Sequence, residues 1–321
     1  MSANETLAAP EPGRRRGLLS LPSSSRMSVA QYAYLFCLPT AIFLILLNIY
    51  PFAYSLWMSL NDIDLRLGFF DFIGLGNYAE ALSNADVWAS LVTTFVYGSQ
   101  VTVFSTVLTI GIALLLNEKF RGRTLLLTIS ILPWAVSTYA SAVVWRFMLS
   151  KDNGLFSALF MVLGLTNGPV NLMDINTALT FLALAHSWHL TPLGVYFMLA
   201  TLQVIPQDLY RVARVDRLGI FGRFWNVTFP YLKAPILIIL ILNTLSAVNV
   251  FDLIYFTTGG GPGRATRTMT YEVYSQAFLN LRLGLGAAEA YILMAVVIAI
   301  TFVYVWILFR KEKPRTLEET A

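Results

Sequence analysis

The chain has one cysteine, two histidines and only 12% charged residues among its 321. Cys37 has no partner with which to close a disulfide inside the chain, and no cysteine-ligated metal site is expected. It lies in an apolar run and reads as a small packing residue. No HExxH, GxSxG or paired CxxC pattern occurs, and the histidines, His186 and His189, share one apolar stretch. No catalytic constellation is therefore present. The ten-residue alternating segments of a transmembrane β-barrel are missing. So is the series of acids inside apolar segments on which an ion-coupled carrier depends; Asp252 is the chief candidate of that kind.

What remains is 57% hydrophobic with a mean hydropathy of +0.65. A soluble core of this size does not need so much apolar surface, so the bilayer is the expected solvent. Six apolar segments run from Tyr34 to Leu60, Leu91 to Leu116, Leu125 to Leu149, Thr177 to Leu202, Ile236 to Thr257 and Leu285 to Phe309. Each reaches the roughly 20 residues that a helix needs to cross ~30 Å of hydrocarbon. Lipid offers no hydrogen bonds, so the predicted fold is all-α, a polytopic membrane protein with six transmembrane helices.

Residues 1–32, rich in Ser, Pro and Ala, cannot bury enough apolar area to order themselves and are expected to be a disordered cytosolic tail. A cleaved signal is not expected there, because Pro22 and Ser23 to Ser25 cut the apolar region short. The six-span domain then covers 33–310, and 311–321 is a second tail. Basic residues give the orientation. Sixteen of the 22 fall on the N-tail, on Lys119, Arg121 and Arg123, on the segment 207–235, and on the C-tail; six, Arg66, Arg146, Lys151, Arg264, Arg267 and Arg282, fall on the other face. Both termini are thus expected in the cytosol.

The segment 207–235 is the one long polar interruption with a pattern of its own. Leu209, Val212, Ala213 and Leu218 mark one face of a short helix, and Arg211, Arg214 and Arg217 step along another. Gly219 is placed to end that helix in a left-handed conformation, and Pro230 and Pro235 to prevent a helix from running unbroken into the next span. The expected result is a cytosolic helical elbow. Taken alone, the pattern also suits a basic interfacial helix.

The elbow, with Ile205 and Pro206 before it, resembles the cytoplasmic coupling loop of sugar-type permeases of ABC importers, the maltose-permease-like family. Leu209, Tyr210, Ala213, Asp216, Gly219, Phe224 and Pro230 match the family's pattern, whereas Arg211 stands where the family has Glu and Arg217 where it has its first Gly. FIGLGNYAEAL at 72–82 and TTGGGPGRAT at 257–266 resemble the family's segments after the first and fifth spans. The latter lacks the Gly-Lys-Ser/Thr ending of a phosphate loop, and Gly259 to Gly261 are expected to turn the chain sharply.

The resemblance implies a type I importer permease that does no chemistry itself. It implies a second, homologous permease in a heterodimer, two ABC ATPase subunits that hold the ATP and Mg2+, and an extracytoplasmic substrate-binding protein. The setting is lipid, in a bacterial inner membrane, with no cofactor on this chain and no nucleic acid. The ATPase would engage Tyr210, Arg211, Ala213, Arg214, Asp216, Arg217 and Gly219. A carbohydrate needs aromatic faces and uncharged hydrogen-bonding groups. Alignment with maltose-type permeases places sugar contacts at Trp134, Thr138, His189, Leu190, Leu193, Ser246, Ala247 and Val250, with Asn249 as a displaced family asparagine. Trp134 and Thr138 are expected one turn apart on one helix face. The alternative reading is a secondary, ion-coupled carrier.

Overall fold

The computed structural model describes residues 28–310. The expected C-terminal tail and residues 1–27 of the expected N-terminal tail lie outside the described residues. The chain forms two units, 1–54 and 55–321.

In the first unit α1 (Val29–Leu44) opens on a capping box. Ser28 Oγ accepts from the Gln31 N–H at 3.3 Å and Gln31 Oε1 from the Ser28 N–H at 2.7 Å, satisfying two donors that a helix start otherwise leaves open. Helical order thus begins before residue 32, where the tail was expected to end. A π-turn over Ile45–Ile49 leads into α2 (Tyr50–Ser59). Side chains from Ala30 to Tyr54 are exposed on all sides, and they are overwhelmingly apolar. Such a helix is suited to hydrocarbon or to a partner surface rather than to water.

The second unit takes in the end of α2 from Ser55 and then a hairpin, β1 (Asn61–Asp64) with β2 (Phe69–Phe72), paired antiparallel from Asn61 opposite Phe72 to Asp64 opposite Phe69. Asp64 Oδ1 accepts from the Arg66 backbone N–H at 2.9 Å, and its Oδ2 takes the Arg66 guanidinium at 2.6 Å. These bonds hold its carboxyl at about 2. Then come α3 (Gly76–Ser83) and α4 (Ala85–Asn117), the latter capped by Asn84 Oδ1. The expected third span is broken into α5 (Arg123–Ser130), α6 (Leu132–Ala135) and α7 (Thr138–Met148), with a 99° bend between 123–135 and 138–148. Val136 is extended, and Ser137 starts a new helix by accepting from the Ala140 N–H. Trp134 and Thr138 therefore sit on different helices, not on one face.

After α8 (Leu155–Val162) comes α9 (Ala178–Val204), bent by 71° against α10 (Gln207–Val215) at Ile205 and Pro206. α11 (Ile220–Arg223), a π-turn over Phe224–Thr228 and α12 (Phe229–Val248) form one helix, Ile220–Val248. This corrects the expectation that Pro230 and Pro235 would interrupt it. The π-turn widens the backbone just ahead of Pro230, which occupies the first turn of α12, where a missing N–H is tolerated. The fifth span ends at Val248 rather than Thr257, and α13 (Asp252–Thr257) is separate. Gly259 and Gly260 adopt φ of 60° and 83°, making the sharp turn expected of them. α14 (Met269–Tyr274), a π-turn over Ser275–Leu279 and α15 (Leu283–Arg310) complete the order. Among the described residues, four helices are long and apolar enough to cross a membrane, and up to six when each bent pair counts as one span.

The core lies where α9 and α12 pack on α4. Small and hydroxyl residues line the seam, so backbones approach closely and hydroxyls find partners where no water competes. Thr102 Oγ1 and Thr244 Oγ1 lie 3.1 Å apart, Asn243 Nδ2 donates to Ser105 Oγ at 3.0 Å, and Ser187 Oγ donates to the Val101 carbonyl at 3.2 Å. At the α4–α9 crossing, a Cβ on Gly194 would lie 2.7 Å from Thr109 Oγ1.

Candidate functional site: a broken helix, a histidine face and an elbow

α9 presents His186 and His189 one turn apart. His186 is buried, with Nδ1 3.0 Å from the Tyr97 hydroxyl and Nε2 3.3 Å from Ser246 Oγ, so it ties α4 to α12 through α9. His189 is half-buried, with Nδ1 2.9 Å from the Pro133 carbonyl. A carbonyl only accepts, so Nδ1 carries the proton and the neutral ring keeps Nε2 as a free acceptor. The bond pins α9 to the break in the third span, beside Trp134.

The structure thus brings Trp134 and His189 into one neighbourhood, and it joins Ser246 to His186 rather than leaving it free. Trp134 and Leu193 are exposed, and Thr138 is half-buried on the far side of the break. Asn249 caps α12, with its amide turned back to the Leu245 carbonyl at 2.8 Å. Ala247 and Val250 are buried core. Trp145, from the same stretch, stacks on Phe156 and meets Trp188 edge-on. Two cavities, one beside Thr102 and Thr244 and one behind the elbow, are not lined by these pathway candidates.

The elbow differs from expectation in its face. Ala213 is buried, and Tyr210 and Leu218 pack with it against Leu202, Val227 and Leu232; Leu209 and Val212 point outward. Tyr210 hydroxyl meets Thr228 Oγ1 at 2.9 Å, bracing α10 against the π-turn. Arg211 pairs with Asp208 at 2.7 Å in the open. Asp216 is the C-cap, and the left-handed residue is Arg217, φ 56°, not Gly219, which is an extended N-cap of α11. The Leu218 N–H bonds the Ala213 carbonyl at 3.0 Å and the Arg217 N–H the Arg214 carbonyl at 3.1 Å, the two bonds of a Schellman ending. The left-handed turn thus falls where the family keeps its first Gly.

Behind the elbow lies a polar cavity of about 850 Å³ lined by Glu118, Lys119, Gln207, Tyr210, Arg214 and Arg223, among others. It places the 119–123 loop and the elbow at the same end of α4. Arg264, by contrast, reaches Asp86 at the other end, about 50 Å away for 33 helical residues at ~1.5 Å each. In front of the elbow Val212, Val215, Ile220 and Phe221 form an exposed apolar patch, the last three about four-fifths exposed.

A family model described as "Binding-protein-dependent transport system inner membrane component" matches residues 105–313, well over half of the chain. The chain belongs to that family. The permease is 35% identical over 287 residues to the trehalose/maltose transport system permease protein MalF of Thermococcus litoralis, covering 89% of this chain and 96% of that one. It is 33% identical over 276 residues to the sn-glycerol-3-phosphate transport system permease protein UgpA of Rhizobium meliloti, covering 84% and 91%. Its fold is similar, with a TM-score of 0.76 at 19% identity, to a chain of a bacterial ABC transporter involved in the import of the acidic polysaccharide alginate, covering 88% and 96%. The permease has the type I importer fold, and the expected family and transport role are borne out.

Sequence reading missed two features. Tyr97 is fully buried beside His186, and only its place in a span signalled a polar role. Glu289 is fully buried in α15, and an acid inside an apolar span was signal enough.

Proposed function

We propose that this permease carries a neutral carbohydrate or carbohydrate-like solute into the cell, driven by ATP that partner ATPase subunits hydrolyse. A binding protein would deliver the solute from outside, and a second permease would complete the pathway. The observation that carries the coupling part is the elbow's outer surface. Val215 at the end of α10 and Ile220 and Phe221 at the start of α11 stand exposed, with Arg211 and Arg217 nearby in sequence, on an elbow whose other face is anchored in the core through Tyr210, Ala213 and Leu218. An exposed apolar patch rimmed by charge suits a protein partner. The anchoring through Tyr210 and Thr228 would pass the partner's motion directly into α12, since α11 and α12 are one helix.

The elbow and the loop at Lys119, Arg121 and Arg123 share one end, and these carry eight basic residues. That supports a cytosolic elbow, as the charge rule implies. For the solute, Trp134 offers a ring face, Thr138 a hydroxyl and His189 an acceptor nitrogen. None of Trp134, Thr138, His189, Leu193, Ser246 and Asn249 is a lysine or arginine. A phosphate or uronate would call for such a cation, so a neutral sugar is the better fit.

The test is the complex. Arg214→Glu with Arg217→Glu reverses charge on the elbow and is expected to reduce ATPase co-purification several-fold while the chain still inserts. Undiminished co-purification removes the docking role. Uptake into vesicles by this chain without any ATPase would instead support an ion-coupled carrier.

A further inference from the structure

Glu289 is 0% exposed and both its carboxyl oxygens find no hydrogen-bond partner among the described residues. It stands one turn from Leu285 and one turn from Leu293, and both belong to an apolar cluster with Ala81, Val87, Val248 and Met269. The first turns of α15 are closed by backbone contact. A Cβ on Gly286 would lie 2.9 Å from the Ala277 nitrogen, and one on Gly284 would overlap the Asn61 carbonyl.

The charges around this cluster are already matched. Glu272 on α14, 1% exposed, takes Arg264 at 2.9 Å and Arg267 at 2.6 Å; Arg264 also takes Asp86 of α4 at 2.9 Å. Glu80 of α3 takes Arg282 through both oxygens. Three arginines thus face three carboxylates from α3, α4 and α14; β1, which also packs on α15, adds Asp64, already paired with Arg66 at 2.6 Å, and Asp62, and α12 offers only Val248 to the cluster. Glu80, Glu272, Arg267 and Arg282 all lie close enough to act on Glu289 electrostatically, yet none bonds to it. An ionised Glu289 would be an uncompensated charge in an apolar surround, which costs several kcal/mol or more. It needs one positive charge of its own. Among the described residues no group of three His, Cys, Asp or Glu side chains could hold a metal ion, and in an apolar surround a proton is the simplest charge to supply.

We infer that Glu289 is a proton-binding site at the end of the permease opposite the elbow, and that its proton locks α15 against α3 and α14. The proton is taken from the aqueous phase on that side and returned to it, with no other bond made or broken. When it leaves, Glu289 and Glu272 repel each other. The repulsion is relieved when α15 parts from α14 or when an arginine of the 257–268 loop turns from Glu272 toward Glu289. Alkaline medium outside would therefore loosen this end. The consequence for transport rests on the importer reading above; the proton site itself does not.

The experiment separates the two. The detergent-purified complex is titrated from mildly acid to alkaline pH, following its unfolding midpoint and the infrared carboxylic C=O band, in wild type and Glu289→Gln. The expected result is a protonated-carboxyl band that fades with alkalinity in wild type and is absent in the variant. A midpoint falling on alkalinisation in wild type and much less in E289Q accompanies it. The two proteins giving the same bands and the same profile would overturn the proposal. So would a wild-type profile that shifts when sodium replaces choline, which would assign the site to a metal ion. Uptake that falls several-fold in alkali for wild type but not for E289Q extends the site to transport. The site is overturned only by the spectroscopic and stability results, so a failed importer reading remains recognisable on its own.

Discussion

Gly194→Ala would put a carbon into the seam where α4 and α9 cross. The added carbon would lie 2.7 Å from Thr109 Oγ1 and 2.9 Å from its Cγ2, both inside normal contact. Thr109 is buried, β-branched and stiff, and its hydroxyl donates to the Thr191 carbonyl at 3.4 Å, so it has little room to yield. Overpacking of this kind costs ~1–3 kcal/mol. Opposing it, alanine gains ~1 kcal/mol over glycine inside a helix. The net expectation is a loss of about 0–2 kcal/mol, by itself a weak test. The discriminating measurement is the same change made in Thr109→Ala. With Oγ1 and Cγ2 gone, only the helix-propensity term remains, and G194A becomes stabilising by up to ~1 kcal/mol. Unfolding of the four detergent-solubilised proteins, arranged as a double-mutant cycle, reads the coupling directly. A coupling indistinguishable from zero would mean that α4 and α9 do not cross at these residues.

Arg217→Gly removes a left-handed arginine and is expected to stabilise the end of α10 by ~1 kcal/mol. Slower amide exchange at Leu218, whose N–H closes the turn, would register it; unchanged or faster exchange would contradict the strained conformation. If docking needs the guanidinium, the same variant binds ATPase less tightly although its elbow is firmer. The hairpin should respond to acid. Arg66 holds the Asp64 carboxyl at about 2, below the ~3.9 of an unfolded chain. The pair's contribution is therefore complete above that unfolded value and is lost as pH falls through about 2. Protection of the Gly68 amide, bonded to the Asp64 carbonyl at 2.8 Å, is expected to collapse on acidification. Arg66→Ala should move that collapse to higher pH, and an unmoved collapse would count against the pairing.

Much of the fold was legible because lipid leaves few options. Apolar stretches of about 20 residues must be helices, and α4, α12 and α15 stand close to where such stretches lie. The places where reading failed share a cause. The third span breaks because Ser137 can cap a helix start as well as sit inside one, and because His189, fifty residues on, holds the Pro133 carbonyl. Pro230 fails to break the fifth because a π-turn precedes it. Period and propensity describe a segment by itself, whereas both outcomes depend on hydrogen bonds that a one-dimensional pattern does not contain.

The candidate site obeys the same division. Polar residue types inside the spans were visible at once, but a hydroxyl or an imidazole in a membrane helix can serve a solute or a neighbouring helix. His186 and Ser246 direct their hydrogen bonds at each other, and Asn249 directs its own at Leu245. His189 does not, because one nitrogen is fixed by a carbonyl and the other stays an acceptor. The useful question for any buried polar side chain is therefore how many of its hydrogen bonds the fold has already consumed. By that measure His189, whose open nitrogen suits a donor such as a sugar hydroxyl, and Glu289, whose empty oxygens suit a proton, both have capacity to spare. They mark two separate sites, and a substitution at either should leave the other's behaviour in place.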